Sequence, residues 1–115
     1  MKFLVANKAV TDREKSILTR CRDIMKKIDP SADVILCGSR ARGDAQHDSD
    51  YDLLVLTENN ASLLYEDKIR RLIFPIELET GAVLTLMLIN KHEWNSPLQK
   101  ASPFSQNVER DGIIL

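Results

Sequence analysis

Gly38-Ser39-Arg40-Ala41-Arg42-Gly43-Asp44-Ala45-Gln46-His47-Asp48-Ser49-Asp50-Tyr51-Asp52-Leu53-Leu54-Val55 is the stretch on which the reading of this chain turns. It leaves one short apolar run, Val34-Ile35-Leu36-Cys37, and enters another over residues 51–56. Runs of that length and composition read as strands covered on both faces. At the front of the stretch, Gly38 lets the backbone come close to a ligand. The residues after it can begin a helix, whose first amides lack intrahelical partners and favour an anion. Ser39 adds a hydroxyl, and Arg40 and Arg42 can bring guanidinium groups to phosphate oxygens. The combination suits a triphosphate. A plain strand-to-helix turn with solvated arginines would look the same, so the decision comes from the other end.

There, Asp50 and Asp52 sit two residues apart at the mouth of the second apolar strand. The two-residue period of a strand puts both carboxylates on one face, with Tyr51, Leu53 and Val55 on the other. Two acids so placed repel each other unless a cation lies between them. Magnesium takes such oxygen ligands together with substrate phosphates. A solvated strand edge is the plain alternative, but a charge inside Tyr51-Asp52-Leu53-Leu54-Val55 is costly without a partner.

Working outward, Thr11-Asp12-Arg13-Glu14 has the form of a capping box, a hydroxyl acceptor and a carboxylate three residues apart. Behind it Ile17, Cys21, Ile24 and Ile28 form one stripe, predicting a helix over about 12–28 that Asp29-Pro30 ends. On the far side of the central stretch, residues 61–73 read as a helix. Residues 76–80 admit two readings: a strand leading into a hairpin at Thr80-Gly81, or the end of a helix kinked at Pro75 and closed by Gly81. Residues 83–89 form the third strand, residues 91–94 a helical turn, residues 97–103 a loop bracketed by Pro97 and Pro103, and residues 104–110 a brief helix. The expected fold class is α+β: a short mixed sheet with helices packed mainly on one face, in a single domain over 1–115.

Composition sets outer bounds. With 115 residues, 43% hydrophobic and 29% charged, the chain can bury a core without staples. A net charge of −1 gives no footprint for nucleic acid. No run approaches the length of a membrane span, and the start is not a signal peptide, so the expected location is cytoplasmic. Cys21 and Cys37 lack metal or redox spacing and read as core thiols. His47 and His92 read as surface residues, Asp44 and Asp48 as turn residues, and Trp94 as a core or interface anchor. Lys26-Lys27 and Arg70-Arg71 read as solvated helix faces. Apolar residues near both ends, Phe3-Leu4-Val5 and Ile113-Ile114-Leu115, suggest a surface covered by a second copy or a partner.

Gly-Ser, a spacer of about ten residues, and Asp-x-Asp before an apolar run is similar to the signature of the polymerase-beta-like nucleotidyltransferases. The fuller form, Gly38-Ser39-Arg40-Ala41-Arg42-Gly43-Asp44-Ala45 followed by Ser49-Asp50-Tyr51-Asp52-Leu53, resembles the small prokaryotic minimal nucleotidyltransferases, with a weaker likeness from Leu18 to the C-terminus. The resemblance implies Gly38 and Ser39 on nucleotide phosphates, Asp50 and Asp52 as catalytic ligands of Mg2+, and a nucleoside triphosphate, ATP by expectation, as substrate. It implies transfer of a nucleoside monophosphate to a hydroxyl of a protein or small molecule. It also favours the long-helix reading of residues 61–80. Many minimal members act beside a helical toxin-like protein, so that partner or a homodimer is expected.

One departure stands out. Active members carry a third carboxylate on the next strand, which here is Ala82-Val83-Leu84-Thr85-Leu86-Met87-Leu88-Ile89. Thr85 is its only polar residue, and a hydroxyl does not replace a carboxylate as a base. Glu77 and Glu79 could substitute only if residues 76–80 were a strand reaching the site. The alternative reading is therefore a catalytically impaired binding or regulatory protein of the antitoxin type.

Overall fold

The apolar runs of the sequence become the centre of a five-stranded sheet. A computed structural model describes residues 1–115, the side chain of Ala6 excepted. In chain order the elements are β1 (Lys2–Phe3), a 3-10 turn (Leu4–Ala6), α1 (Asp12–Ile28), β2 (Asp33–Cys37), α2 (Gly38–Arg42), β3 (Tyr51–Thr57), α3 (Leu63–Thr80), β4 (Leu84–Asn90), α4 (Lys91–Trp94), α5 (Pro97–Lys100), α6 (Pro103–Asp111) and β5 (Ile113–Ile114). The strands lie in the order β1-β5-β2-β3-β4. β2 runs antiparallel to β3, and β4 runs parallel to β3 after the α3 crossover. The expected mixed sheet is thus present.

Side chains alternate between two cores, as the strand period requires. Val34, Leu36, Tyr51, Leu53, Val55, Leu84 and Leu86 pack with the two long helices. Ile35, Cys37, Leu54 and Leu56 face the other way, toward Trp94, Phe104 and Val108 of the short helices. Trp94 meets Phe104 edge-on, ring centroids 6.0 Å apart, so it is a core anchor.

The helices form for the reasons the sequence offered. Thr11 and Glu14 close a reciprocal capping box at the start of α1, which buries Ile17, Leu18, Cys21 and Met25. Such a cap is worth about 0.5–2 kcal/mol. In α3, Ile69, Ile73 and Ile76 form one buried stripe that runs past Pro75. Burying three isoleucines, at about 1.5–3 kcal/mol each, outweighs the roughly 3 kcal/mol that an interior proline costs. The helix therefore runs on to Thr80, and Gly81, at φ 75°, closes it by donating its amide to the Glu77 carbonyl at 2.9 Å. This settles residues 76–80 as helix.

Two expectations need correction. The segment between Pro97 and Pro103 is not plain loop: Ser96 caps a helical turn with Pro97 at its first position. The apolar ends are largely used within the sheet. Ile113 pairs with Leu36 and is buried, Leu4 is buried, and β1 lies parallel to β5. Only Phe3 and Val5 remain well exposed there.

At the opposite edge, α3 reaches over β4. Arg70 donates to the Leu86 carbonyl at 3.1 Å, and the Leu84 amide donates to Glu77 at 3.4 Å.

Candidate functional site

Strand register assembles the site. Cys37 stands opposite Asp52, and Asp52 stands opposite Thr85. The chain leaves β2 at Gly38 with φ at 71°, a left-handed conformation in which a side chain is strained. A β-carbon there would overlap the Asp52 carboxylate oxygen Oδ2. Glycine is therefore required twice, for its backbone and for its closeness to the acid. α2 starts at that point with no side chain capping its first turn.

Asp52 is half-buried on the face of Leu54 and Leu56. Burial first, and then the charge of Asp50, push its carboxyl above the usual range, with Arg42 pulling the other way. Asp50 is exposed at the mouth of β3 and accepts a long hydrogen bond, 3.4 Å, from the Thr85 hydroxyl. Thr85 thus lies beside Asp50 and opposite Asp52. Among the described residues no group of three or more His, Cys, Asp or Glu could hold a metal. A pair of carboxylates still fits magnesium, which usually keeps several waters and takes one or two carboxylates plus phosphate oxygens. The upward pressure on Asp52 is the imbalance a cation would relieve.

The residues read from sequence as phosphate ligands divide. Gly38 and Arg42 border the same cavity as Asp52. Ser39 follows Gly38, and its carbonyl accepts the amides of Gly43 and Asp44. Arg42 lies 3.3 Å from Asp44 and is close enough to lower Asp52. Arg40 does not join them. Its guanidinium lies 4.1 Å over the Tyr51 ring, on the opposite face of the sheet, and is committed to Glu14 and to two loop carbonyls. Read from sequence as a phosphate ligand, it is turned away from Asp52 by the stacking and the bonds.

Glu77 and Glu79 are also removed as stand-ins for a third acid. Both stay on α3, whose buried stripe packs on the core opposite Asp52's face. Glu79 pairs with Arg20 at 2.6 Å. The Cys37 thiol lies on the cavity wall, where burial and then the Asp52 charge push it up to about 12, and Cys21 stands equally high through burial. Both are buried free thiols, as read from sequence. His47 and His92 are exposed.

One wall was not foreseen. A cavity of about 130 Å³ separates Gly38, Arg42 and Asp52 from Phe104, Asn107 and Asp111 of α6. The only sequence signal was the stripe Phe104, Val108, Asp111, an acid standing where the helical period puts a core residue. Asp111 is paired with Arg110 at 2.9 Å, whose hydrogen bond holds its carboxyl low.

A family profile described as nucleotidyltransferase domain matches residues 18–110. Among solved structures, a chain in the crystal structure of a mutant of the toxin-antitoxin MntA-HpeT is similar in fold, with a TM-score of 0.58 and 20% identity over 85% of this chain and 70% of that one. No curated protein matches.

Proposed function

Because the chain belongs to the nucleotidyltransferase domain family, we propose that it binds a magnesium–nucleoside triphosphate, ATP first, and transfers the nucleoside monophosphate slowly to a hydroxyl of a protein or small molecule. The single observation that carries this reading is the closeness of Gly38 to Asp52: the turn leaving β2 has no room for a β-carbon beside that carboxylate. Asp50 and Asp52 would hold the ion. Gly38, Ser39 and Arg42 would receive the phosphates. The bound cation would neutralise phosphate charge and polarise the α-phosphate. The acceptor oxygen bonds to the α-phosphorus, the bond from that phosphorus to the bridging oxygen breaks, and pyrophosphate leaves. The hydroxyl proton passes to water, since β4 carries no carboxylate to take it.

A specific observation favours a second reading. Thr85 occupies the position opposite Asp52 and next to Asp50 where an acid would serve as base. The chain would then act chiefly as a nucleotide-binding regulator of the antitoxin type, beside a helical toxin-like partner or a second copy of itself. Exposed Leu64, Phe74 and Leu78 along α3 supply apolar surface for such a partner. No described helix is long and apolar enough to cross a membrane, and a cytoplasmic location is part of the proposal.

Titration calorimetry with ATP, with and without magnesium, tests the shared part of both readings. Asp50→Asn combined with Asp52→Asn should abolish the magnesium-dependent affinity, and an unchanged affinity would remove both residues from the site. Release of pyrophosphate, with and without the candidate partner, separates the enzyme from the regulator.

A further inference from the structure

We propose that Arg40 is a positioning residue: from behind the sheet it grips the loop that ends in Asp50 and so sets where that carboxylate stands. The inference rests on the reading of Asp50 and Asp52 as a metal site.

Asp50 lies outside β3, and the pairing of β3 with its neighbours begins only at Tyr51. Something other than the ladder must hold it. Part of the answer is a local turn, in which the Gln46 amide donates to the Ser49 hydroxyl at 2.8 Å and the Ser49 amide to the Gln46 carbonyl at 3.1 Å. The rest is Arg40. Its Nε donates to the Ser49 carbonyl at 2.9 Å, and its Nη2 donates to the His47 carbonyl at 3.1 Å. Ser49 is the residue before Asp50, so the bond acts on the peptide that carries the acid.

The guanidinium is itself immobilised. It stacks 4.1 Å over Tyr51, the residue between the two acids, and its Nη1 lies 3.3 Å from Glu14 Oε2. Its side chain is only 12% exposed. Glu14 is fixed in turn by the Thr11 amide, which donates to its other oxygen at 3.1 Å. An unbroken set of contacts thus runs from the cap of α1 through Arg40 to the loop. It needs arginine: a planar fork can meet two carbonyls and an acid while one face lies on a ring, and a lysine ammonium cannot.

The test uses Arg40→Lys and Arg40→Gln in the full chain. Three quantities are measured: the melting temperature, amide hydrogen exchange over residues 46–52 without ligand, and ATP affinity with and without magnesium. The Lys variant should fold, exchange its loop amides faster, and lose magnesium-dependent affinity by about 10- to 100-fold, the usual effect of removing support from a metal ligand. Affinity measured without magnesium should not change, which separates positioning from general loss of structure. Unchanged loop exchange, or unchanged magnesium dependence in a variant of a wild type that binds, overturns the proposal. A wild type with no magnesium-dependent binding at all would defeat the function proposed above, and this role with it. If both Arg40 variants fail to fold, Glu14→Gln decides: it keeps an acceptor for Thr11 and removes the charge that anchors Arg40. A smaller loss of the same kind supports the role, and no loss overturns it.

Discussion

Gly38 and Asp52 share one volume: the α-carbon of the first stands where a β-carbon would strike the carboxylate of the second. Gly38→Ala therefore meets two penalties, a left-handed backbone and that overlap. The strain is worth about 1–3 kcal/mol, and the acid must also turn away. A lowered melting temperature together with loss of magnesium-dependent ATP binding is the expected outcome. An alanine variant that binds as the wild type does would show that the turn and the acid work separately.

Asp52 should weaken the metal-free fold. Its folded pKa lies above its unfolded one, chiefly through burial and then through Asp50. The folded state therefore holds its proton more tightly. The resulting stabilisation is complete below the unfolded value, near 3.9, and is lost as pH rises through the raised one. Asp52→Asn should raise the metal-free melting temperature at neutral pH, while magnesium with ATP should stabilise only the wild type. Thermal melts with and without ligand check both halves.

Thr85→Asp should increase transfer. The residue already lies beside Asp50 and opposite Asp52, so an acid there enters the same site. A general base contributes roughly 100- to 10,000-fold. Pyrophosphate release with a supplied acceptor is the assay. Rapid turnover by the unmodified chain would show that the site has another route for the proton.

Asp29 should govern acid stability from the far end of the sheet. Burial pushes its carboxyl up, but hydrogen bonds from Ser31, Thr57 and Tyr65 outweigh that and hold it well below the usual range. Thr57 and Tyr65 each donate to Oδ2 at 2.5 Å, and Ser31 donates to Oδ1 at 2.6 Å. A depressed folded value means the stabilisation is present above the unfolded pKa, near 3.9, and fades as pH falls toward the folded one. Asp29→Asn should cost about 1.5–3 kcal/mol, the worth of a hydrogen bond to a charged group, and should flatten stability across that acid range. Urea unfolding at several pH values would reveal an unaltered slope if the network were idle.

Much that rests on local pattern was legible in the sequence, although the turn that Ser96 caps was read as loop. Thr11 and Glu14 gave the start of α1, Cys37-Gly38 gave the turn, and the two-residue step from Asp50 to Asp52 gave the acids. It was silent where partners are distant. Arg40 and Arg42 look alike in the chain, yet two residues along a short helix send the first to Tyr51 and Glu14 and leave the second beside Asp52. The pairing of β1 with β5 joins residues over a hundred positions apart and is only two residues long, too short for any period to appear. Asp111 gave only a faint sign, an acid at a core position of the helical stripe, because it is paired with its own neighbour and the cavity it borders is closed by distant residues.

The bonds from Arg70 and Glu77 to the outer side of β4 bear on how copies of this chain can meet. An exposed apolar edge invites a neighbour to add its own strand. Here the outward amide of Leu84 and the outward carbonyl of Leu86 are already engaged by the chain's own helix. A newcomer would have to strip two charged side chains from the backbone before zipping on. Growth into a continuous intermolecular sheet is thus braked from within, and any association on this flank is steered toward side chains such as Phe74 and Val83 rather than toward fibre-like backbone pairing.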